Sequence, residues 1–373
     1  MRKLLPIRRN NMEHPIKCEC WTSLRLTVAL ADDRFLPWYL ENFISIMMDQ
    51  HYITMYHEFG SVGSLSLYNE PLIINEIYDR NNILAQVIEY VDKGGYLSVY
   101  YDRYYLEGCE AYQKEHYLHD MLLFGYDSDL EEIYFVDNEL DPSGATQVLD
   151  FDTFTESFYS ALEKLKTKSG QYSWMYILNL PAHVLYLKPP TPERQINLTK
   201  IYECIDGNLR GGEFLCNNFS KENVLFRTAY KTNKCRYGID IYDGFEELFG
   251  ILLKEGDYRK HPHNMFIIVG IVKMIENKND LLYRLNYLND NKYLNISGNI
   301  IRNIEKLNNS LQQAFDAFSE DDEVYDMKGI KLALEKIKEA KALDILVLTE
   351  AKQLVLEAMQ NKRILKIDTT SEW

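Results

Sequence analysis

Two short apolar runs, Met121–Phe124 and Ile133–Val136, flank the stretch Gly125-Tyr126-Asp127-Ser128-Asp129, and this pattern constrains the fold more than any other part of the chain. Apolar strand formers on either side of a Gly/Asp/Ser-rich turn read as two antiparallel strands joined by a short loop. His119 opens the first strand and Asp137 closes the second, each nine residues from Ser128. A simple hairpin register makes them direct cross-strand neighbours, with Cβ atoms about 5 Å apart on one face. At that separation a carboxylate accepts the imidazole N–H, fixes its tautomer and leaves the other nitrogen to act as a base.

An oriented base implies a group to activate, and serine, cysteine and threonine are the side chains that need one. In HPIKCECWTSLRLTVALA, Cys18 and Cys20 precede an apolar-rich run that reads as a helix from about Trp21 or Thr22. A cysteine at a helix N-terminus feels the positive end of the macrodipole, which stabilises thiolate. Cys20 stands closer to that N-cap; Cys18 serves if the helix begins earlier. Each residue also has a plain reading. A cysteine can be a small core residue, His119 a satisfied core histidine, and Asp137-Asn138 a strand cap; the symmetric spacing is what favours a site.

Cysteine and helix first, then histidine and aspartate on strands, is an order that resembles papain-like proteins, and the spacing is similar to that of bacteriocin-processing cysteine peptidases. More specifically, the block from VYYDRYYL through HYLHDMLLFGYDSDLEEIYFVDN resembles the N-terminal domain of the butirosin biosynthesis protein H family. The resemblance spans roughly residues 15–180, with a strong part of about 40 residues. It implies an acyltransferase of natural-product biosynthesis. Such a protein takes an aminoacyl group from the phosphopantetheine thioester of an acyl or peptidyl carrier protein and gives it to an amine on a small acceptor. In that chemistry the Cys20 thiolate attacks the thioester, the acyl group rests on the cysteine, and His119 deprotonates the incoming amine. No cofactor is implied beyond the partner's phosphopantetheine. Asp102 and Tyr105 resemble positions that line the site, and His116 is read as substrate-side or structural. One departure stands out: cysteine peptidases of this type carry a glutamine shortly before the cysteine, whereas the first glutamine here is Gln50 and the nearest upstream amides are Asn10 and Asn11. Losing one oxyanion donor costs roughly 2.7–4 kcal/mol of transition-state stabilisation. A cysteine peptidase or amide hydrolase, and a catalytically inactive papain-like binding module, therefore stay open as alternatives.

The 373 residues suffice for two cores. A net charge of −15 argues against nucleic-acid binding, which needs clustered Lys and Arg; the basic stretch Arg2–Arg9 is a docking candidate for an acidic carrier or a solvated tail. Six cysteines at 18, 20, 109, 204, 216 and 235 form no regular framework. With no secretory signal visible in the N-terminal residues, free thiols and a cytoplasmic location are expected. Cys18-Glu19-Cys20 lacks a second ligand pair for zinc. Met265–Val272 is too short to span a bilayer, and there is neither a P-loop nor a dinucleotide fingerprint.

The expected architecture is α+β: a papain-like domain over residues 1–187, a linker over 188–193 set by Leu187-Lys188-Pro189-Pro190-Thr191-Pro192, and an all-helical domain over 194–373. Expected elements are a helix at Trp38–Met48, a helix capped by Asp79 or Asn81 and stopped at Gly94-Gly95, strands at Tyr96–Tyr101 and Trp174–Leu180, and a capping box at Thr153-Phe154-Thr155-Glu156. Helical stripes follow at Phe245–Leu253, Met265–Ile275, Ile300–Phe318 and Leu332–Met359, the last broken near Ala342–Leu343, with Asn277–Asp280 and Asn289–Asn295 as loops.

Overall fold

In a computed structural model, residues 1–8, 20–49, 52–55, 70–77, 80–141, 145–166, 182–189, 194–216, 233–255, 264–319 and 327–368 are described. The hairpin that dominates the sequence forms as β6 (Leu118–Asp127) and β7 (Glu132–Val136). It lies inside a seven-stranded antiparallel sheet with β4 (Leu72–Glu76), β5 (Tyr96–Asp102), β8 (Gln147–Asp150) and β9 (Ala182–Leu187), in the order β4-β9-β5-β6-β7-β8. The seventh strand, β1 (Arg2–Leu4), pairs with the turn-proximal half of β6. Part of the expected basic tail is therefore a strand. It approaches closely only because residue 125 is glycine: a Cβ there would meet the Lys3 carbonyl oxygen at 2.6 Å.

Alternation along β5, β6 and β7 divides the sheet into two faces. Leu97, Val99, Tyr101, Met121, Leu123, Ile133 and Phe135 point to one face, where they pack with α3 (Ile83–Asp92) and α4 (Phe151–Lys166). Helix α3 puts Ile83, Val87 and Val91 on its buried side, is capped by Asn82 through the Ala85 N–H, and stops at Gly94, whose φ is 81°. Helix α4 starts at Phe151, earlier than the expected capping box, because Asp150 caps it: its carboxylate accepts from both the N–H and the hydroxyl of Thr153 at 2.7 Å. The opposite face, with Tyr96, Leu122, Phe124, Tyr134, Val136 and Leu185, packs against α1 (Cys20–Ala29).

The rest of the chain is not all helical, which corrects one sequence expectation. Strands β10 (Gly212–Cys216) and β11 (Asn233–Tyr237) join β2 (Ile46–Asp49) and β3 (Tyr52–Met55) in a second antiparallel sheet. This sheet draws strands from both sides of the 188–193 segment. The helix expected over Trp38–Met48 is α2 (Leu36–Glu41) only; Phe43 adopts φ 60°, and the following apolar run becomes β2. An all-apolar run buried on every side carries no period by which sequence could choose helix over strand.

Helices α5 (Leu198–Arg210), α6 (Ile241–Glu255), α7 (Asn264–Asp290), α8 (Gly298–Ser319) and α9 (Met327–Asp368) share one hydrophobic core with α1 and the first sheet. Helix α9 is unbroken. Its stripe Ile330, Ala333, Ile337, Ala340, Leu348 and Ala351 has Asp344 at a core position, and that interruption reads as a break. Asp344 pairs with Lys278 at 2.8 Å, both buried. The expected loop Asn277–Asp280 is thus a buried part of α7, where the Asn277 amide donates to the Ile44 carbonyl and Asp280 pairs with Arg284 at 2.7 Å. Strand Trp174–Leu180 lies outside the described residues.

Candidate active site

The hairpin register differs from the simple one and still brings His119 and Asp137 together. Near the turn Asp127 pairs with Glu132 and Gly125 with Tyr134; a bulge between Leu123 and Gly125 then shifts the ladder by one, so that Leu122 faces Val136. Extended past that pair, the ladder sets His119 opposite Glu139 and diagonal to Asp137, not directly across from it. Without the bulge the two side chains would fall on opposite faces. With it both join Tyr101, the β5 partner of His119, on the face covered by α3 and α4.

His119 Nδ1 lies 3.3 Å from Asp137 Oδ2 and 3.0 Å from the Asp120 carbonyl oxygen, while Nε2 lies 2.6 Å from Glu139 Oε2. Both ring nitrogens therefore face oxygen acceptors. Asp137 is fully buried. Its Oδ2 accepts from the Tyr101 hydroxyl and from Arg103 Nη2, each at 2.5 Å, and its Oδ1 accepts from the N–H groups of Glu139 and Leu140 at 2.9 and 3.1 Å. Burial by itself would raise the Asp137 carboxyl, but the His119 hydrogen bond, the His119 and Arg103 charges and the Tyr101 hydroxyl hold it well below the usual range. Glu139 is lowered in the same way, against its own burial, by His119, Arg103 and Tyr117. Tyr117, donating to Glu139 Oε1 at 2.8 Å, is pushed up to about 12 by burial and by that bond. Arg103 and His119 thus face the Asp137 and Glu139 carboxylates in one cluster.

A second histidine–carboxylate pair stands at the same end of the sheet. His116 Nδ1 lies 2.6 Å from Oδ2 of Asp102, a fully buried residue whose Oδ1 accepts from the Tyr104 N–H and whose Oδ2 accepts from the Ser160 hydroxyl at 2.7 Å. The His116 ring stacks on Tyr104 at 4.6 Å. Tyr105 is half-buried, edge-on to Tyr104. Consecutive residues Asp102 and Arg103 therefore serve the two histidines in turn.

Helix α1 begins at Cys20, close to where the sequence placed it. The Cys20 side chain, and Cys18, Asn10, Asn11 and Gln50 altogether, lie outside what is described. Helix α1 packs on the sheet face opposite His119, and the Asn138 amide donates to the Ser23 hydroxyl at 2.7 Å. Ser23 lies one turn after Cys20 and Asn138 directly follows Asp137, so the first turn of α1 lies beside the sheet end where His119 and Asp137 sit, on the other face of the sheet. Beneath α1 a second polar group is buried: Arg25 donates to Ser98 at 3.3 Å, and neither Asp120 Oδ2 nor His183 Nε2 has a hydrogen-bond partner among the described residues. Burial raises the Asp120 carboxyl, and burial with the Arg25 and Arg80 charges depresses His183 to about 3.

Sequence reasoning missed Tyr101, Arg103, Glu139 and Tyr117. A signal for Arg103 was present, because an arginine inside the apolar block VYYDRYYL needs an acidic partner once buried. Glu139 was hidden by the register, which the bulge sets.

Among the described residues no group of His, Cys, Asp and Glu is placed to hold a metal ion, and no helix is long and apolar enough to cross a membrane. Cys109, Cys204 and Cys235 are not disulfide-bonded. No family model matches the chain, and no curated protein matches it significantly.

Proposed function

We propose that this chain is a papain-like acyltransferase of natural-product biosynthesis that works in the cytoplasm through a Cys20 acyl-enzyme. The observation that supports the reading is the attachment of α1: the helix begins at Cys20, and the Ser23–Asn138 bond ties its first turn to the sheet end holding His119 and Asp137. His119 takes the thiol proton, and Asp137 orients the imidazole and stabilises the imidazolium that results. The thiolate attacks the thioester carbonyl of an acyl or peptidyl carrier protein; the carbon–sulfur bond to phosphopantetheine breaks, and the acyl group passes to Cys20. His119 passes that proton to the departing phosphopantetheine thiolate; an amine on a small acceptor then attacks the acyl carbon, gives its proton to His119 and expels the Cys20 thiolate.

The test is intact mass after incubation with an acyl-pantetheine. An acyl adduct is expected on wild type and on Cys18→Ala, absent from Cys20→Ala and slow to form on His119→Ala. Discharge of that adduct only when an amine is added, as the amide, marks a transferase; discharge by water marks a hydrolase. No adduct on folded wild-type protein with several thioesters overturns the covalent mechanism. One observation favours a second reading, an inactive binding module: Glu139 occupies the Nε2 side of His119, where an active base would meet the thiol. Calorimetry against a phosphopantetheinylated carrier, with binding but no adduct, would select it.

A further inference from the structure

Consecutive residues of β6 turn to opposite faces of the sheet, so Asp120, next to His119, stands on the α1 face with Leu122, Phe124 and its β5 partner Tyr100. Only 9% of its side chain is exposed. Burying a carboxylate costs free energy unless it is paired, and its Oδ2 has no hydrogen-bond partner among the described residues. Its Oδ1 lies 3.7 Å from His119 Nδ1. The backbone carbonyl oxygen of the same residue stands 3.0 Å from that nitrogen, and Asp137 Oδ2 stands 3.3 Å from it. Asp120 therefore addresses His119 twice, and the imidazole meets carboxylates belonging to both faces of the sheet. Burial raises the Asp120 carboxyl, while the charges of His119 and of Arg25 on α1 act against that rise. Tyr100 is the other titratable group beside Asp120; Tyr101, Arg103, Tyr117, Asp137 and Glu139 surround His119.

We propose that Asp120 is a positioning residue for His119: its carboxylate, placed on the α1 face, holds the imidazole and stabilises the imidazolium that forms when His119 takes a proton. This rests on the reading of His119 as the base. The two other acids at the ring share their charge with Arg103, which lies 2.5 Å from Asp137 and 3.5 Å from Glu139. Asp137 also accepts from the Tyr101 hydroxyl. Asp120 stands on the other face from that arginine. The cation on its own face, Arg25, donates to Ser98 at 3.3 Å and favours the ionised form of Asp120. A carboxylate this close to an imidazole favours the charged ring. Asp120 keeps its own charge throughout, and no proton passes to it; it acts only through His119.

Histidine labelled with carbon-13 at Cε1 in the full chain lets each imidazole be titrated by NMR, with His119 assigned by its absence from His119→Gln. Asp120→Asn is nearly isosteric and uncharged. It is expected to lower the His119 midpoint by about 1–3 pH units, the effect of one close opposite charge, and to leave unmoved that of His116, which is paired with Asp102. A merely structural role would not move one ring selectively. Asp120→Ser removes the same charge and gives the same reading should the amide variant fail to fold. Acylation by acyl-pantetheine at neutral pH is expected to slow about tenfold for each pH unit by which the midpoint falls. An unmoved His119 midpoint in the folded variant overturns the role of Asp120, whatever the protein acylates. A lowered midpoint with acylation at the wild-type rate overturns it too. A lowered midpoint in Asp120→Asn, with no acyl adduct on wild type, supports the coupling of Asp120 to His119 and overturns the acyl-enzyme reading alone.

Discussion

Arg103 Nη2 and Asp137 Oδ2 form a buried ion pair at 2.5 Å, which ties the short 3-10 turn after β5 to the residue that follows β7. The pair fixes the sheet end on which the proposed chemistry depends. Breaking a buried pair by removing one partner leaves an uncompensated charge, at a cost of roughly 3–5 kcal/mol.

Asp137→Asn should therefore destabilise the protein by about 3–5 kcal/mol at neutral pH, read by urea unfolding. The folded-state carboxyl is held below its unfolded value. Its stabilisation is thus fully present above the unfolded value of about 3.9 and is lost as pH falls toward the folded one. The gap between wild type and Asp137→Asn should shrink as pH drops below about 4; a gap constant with pH would refute the assignment.

Tyr101→Phe removes a hydroxyl that donates to Asp137 and accepts from Arg103 Nε at 3.1 Å. A hydrogen bond to a charged group contributes roughly 1.5–3 kcal/mol, so a loss in that range is expected by the same unfolding measurement. A loss under about 0.5 kcal/mol, as at a surface position, would show that the hydroxyl holds nothing.

His183 should make the fold acid-sensitive well above the carboxylate range. Burial is the main cause of its depressed value of about 3, with Arg25 and Arg80 adding to it. Below about 6.5 the unfolded chain takes up a proton that the folded chain refuses, so stability falls as pH drops from about 6.5 toward the folded value, by up to about 1.4 kcal/mol per pH unit. His183→Gln should flatten that slope, and an unchanged slope would contradict the account.

Lys278→Met should cost roughly 3–5 kcal/mol by removing the cation that pairs with the buried Asp344, which keeps, among the described residues, the Tyr242 hydroxyl at 3.0 Å. The double variant Lys278→Met/Asp344→Leu should recover most of that loss, because an apolar pair can replace a buried ion pair without penalty. Additive losses would mean that the two residues are not coupled.

What the sequence showed and concealed follows from these same residues. The β6–β7 hairpin, α3, α6, the first half of α7, α8 and the start of α1 within a residue or two of Cys20 were legible, because alternation and helical periods are local signals; the caps, Asn82 and Asp150, were not. The meeting of His119 with Asp137 was legible from spacing, but its register was not, since one bulged residue moves every later pair. Glu139 and Arg103 escaped because their roles depend on that register and on burial. The Asn277–Asp280 segment of α7 was read as a loop because Asn277, Lys278 and Asp280 are polar; each is buried against a partner from a distant part of the chain, which no local pattern records. Pairing of β10 and β11 with β2 and β3 was likewise hidden by its long sequence separation.

The most direct test of the central claim, that Cys20 and His119 act as a pair, needs no knowledge of the substrate. It is the pH dependence of iodoacetamide alkylation, mapped to individual cysteines by peptide mass spectrometry, in wild type and in His119→Ala. The account predicts that Cys20 is alkylated at about pH 6, where an ordinary thiol is almost wholly protonated, and that His119→Ala moves its reactivity up to the range of Cys204. A Cys20 profile that already matches Cys204 in wild type, or that His119→Ala leaves unmoved, would contradict it.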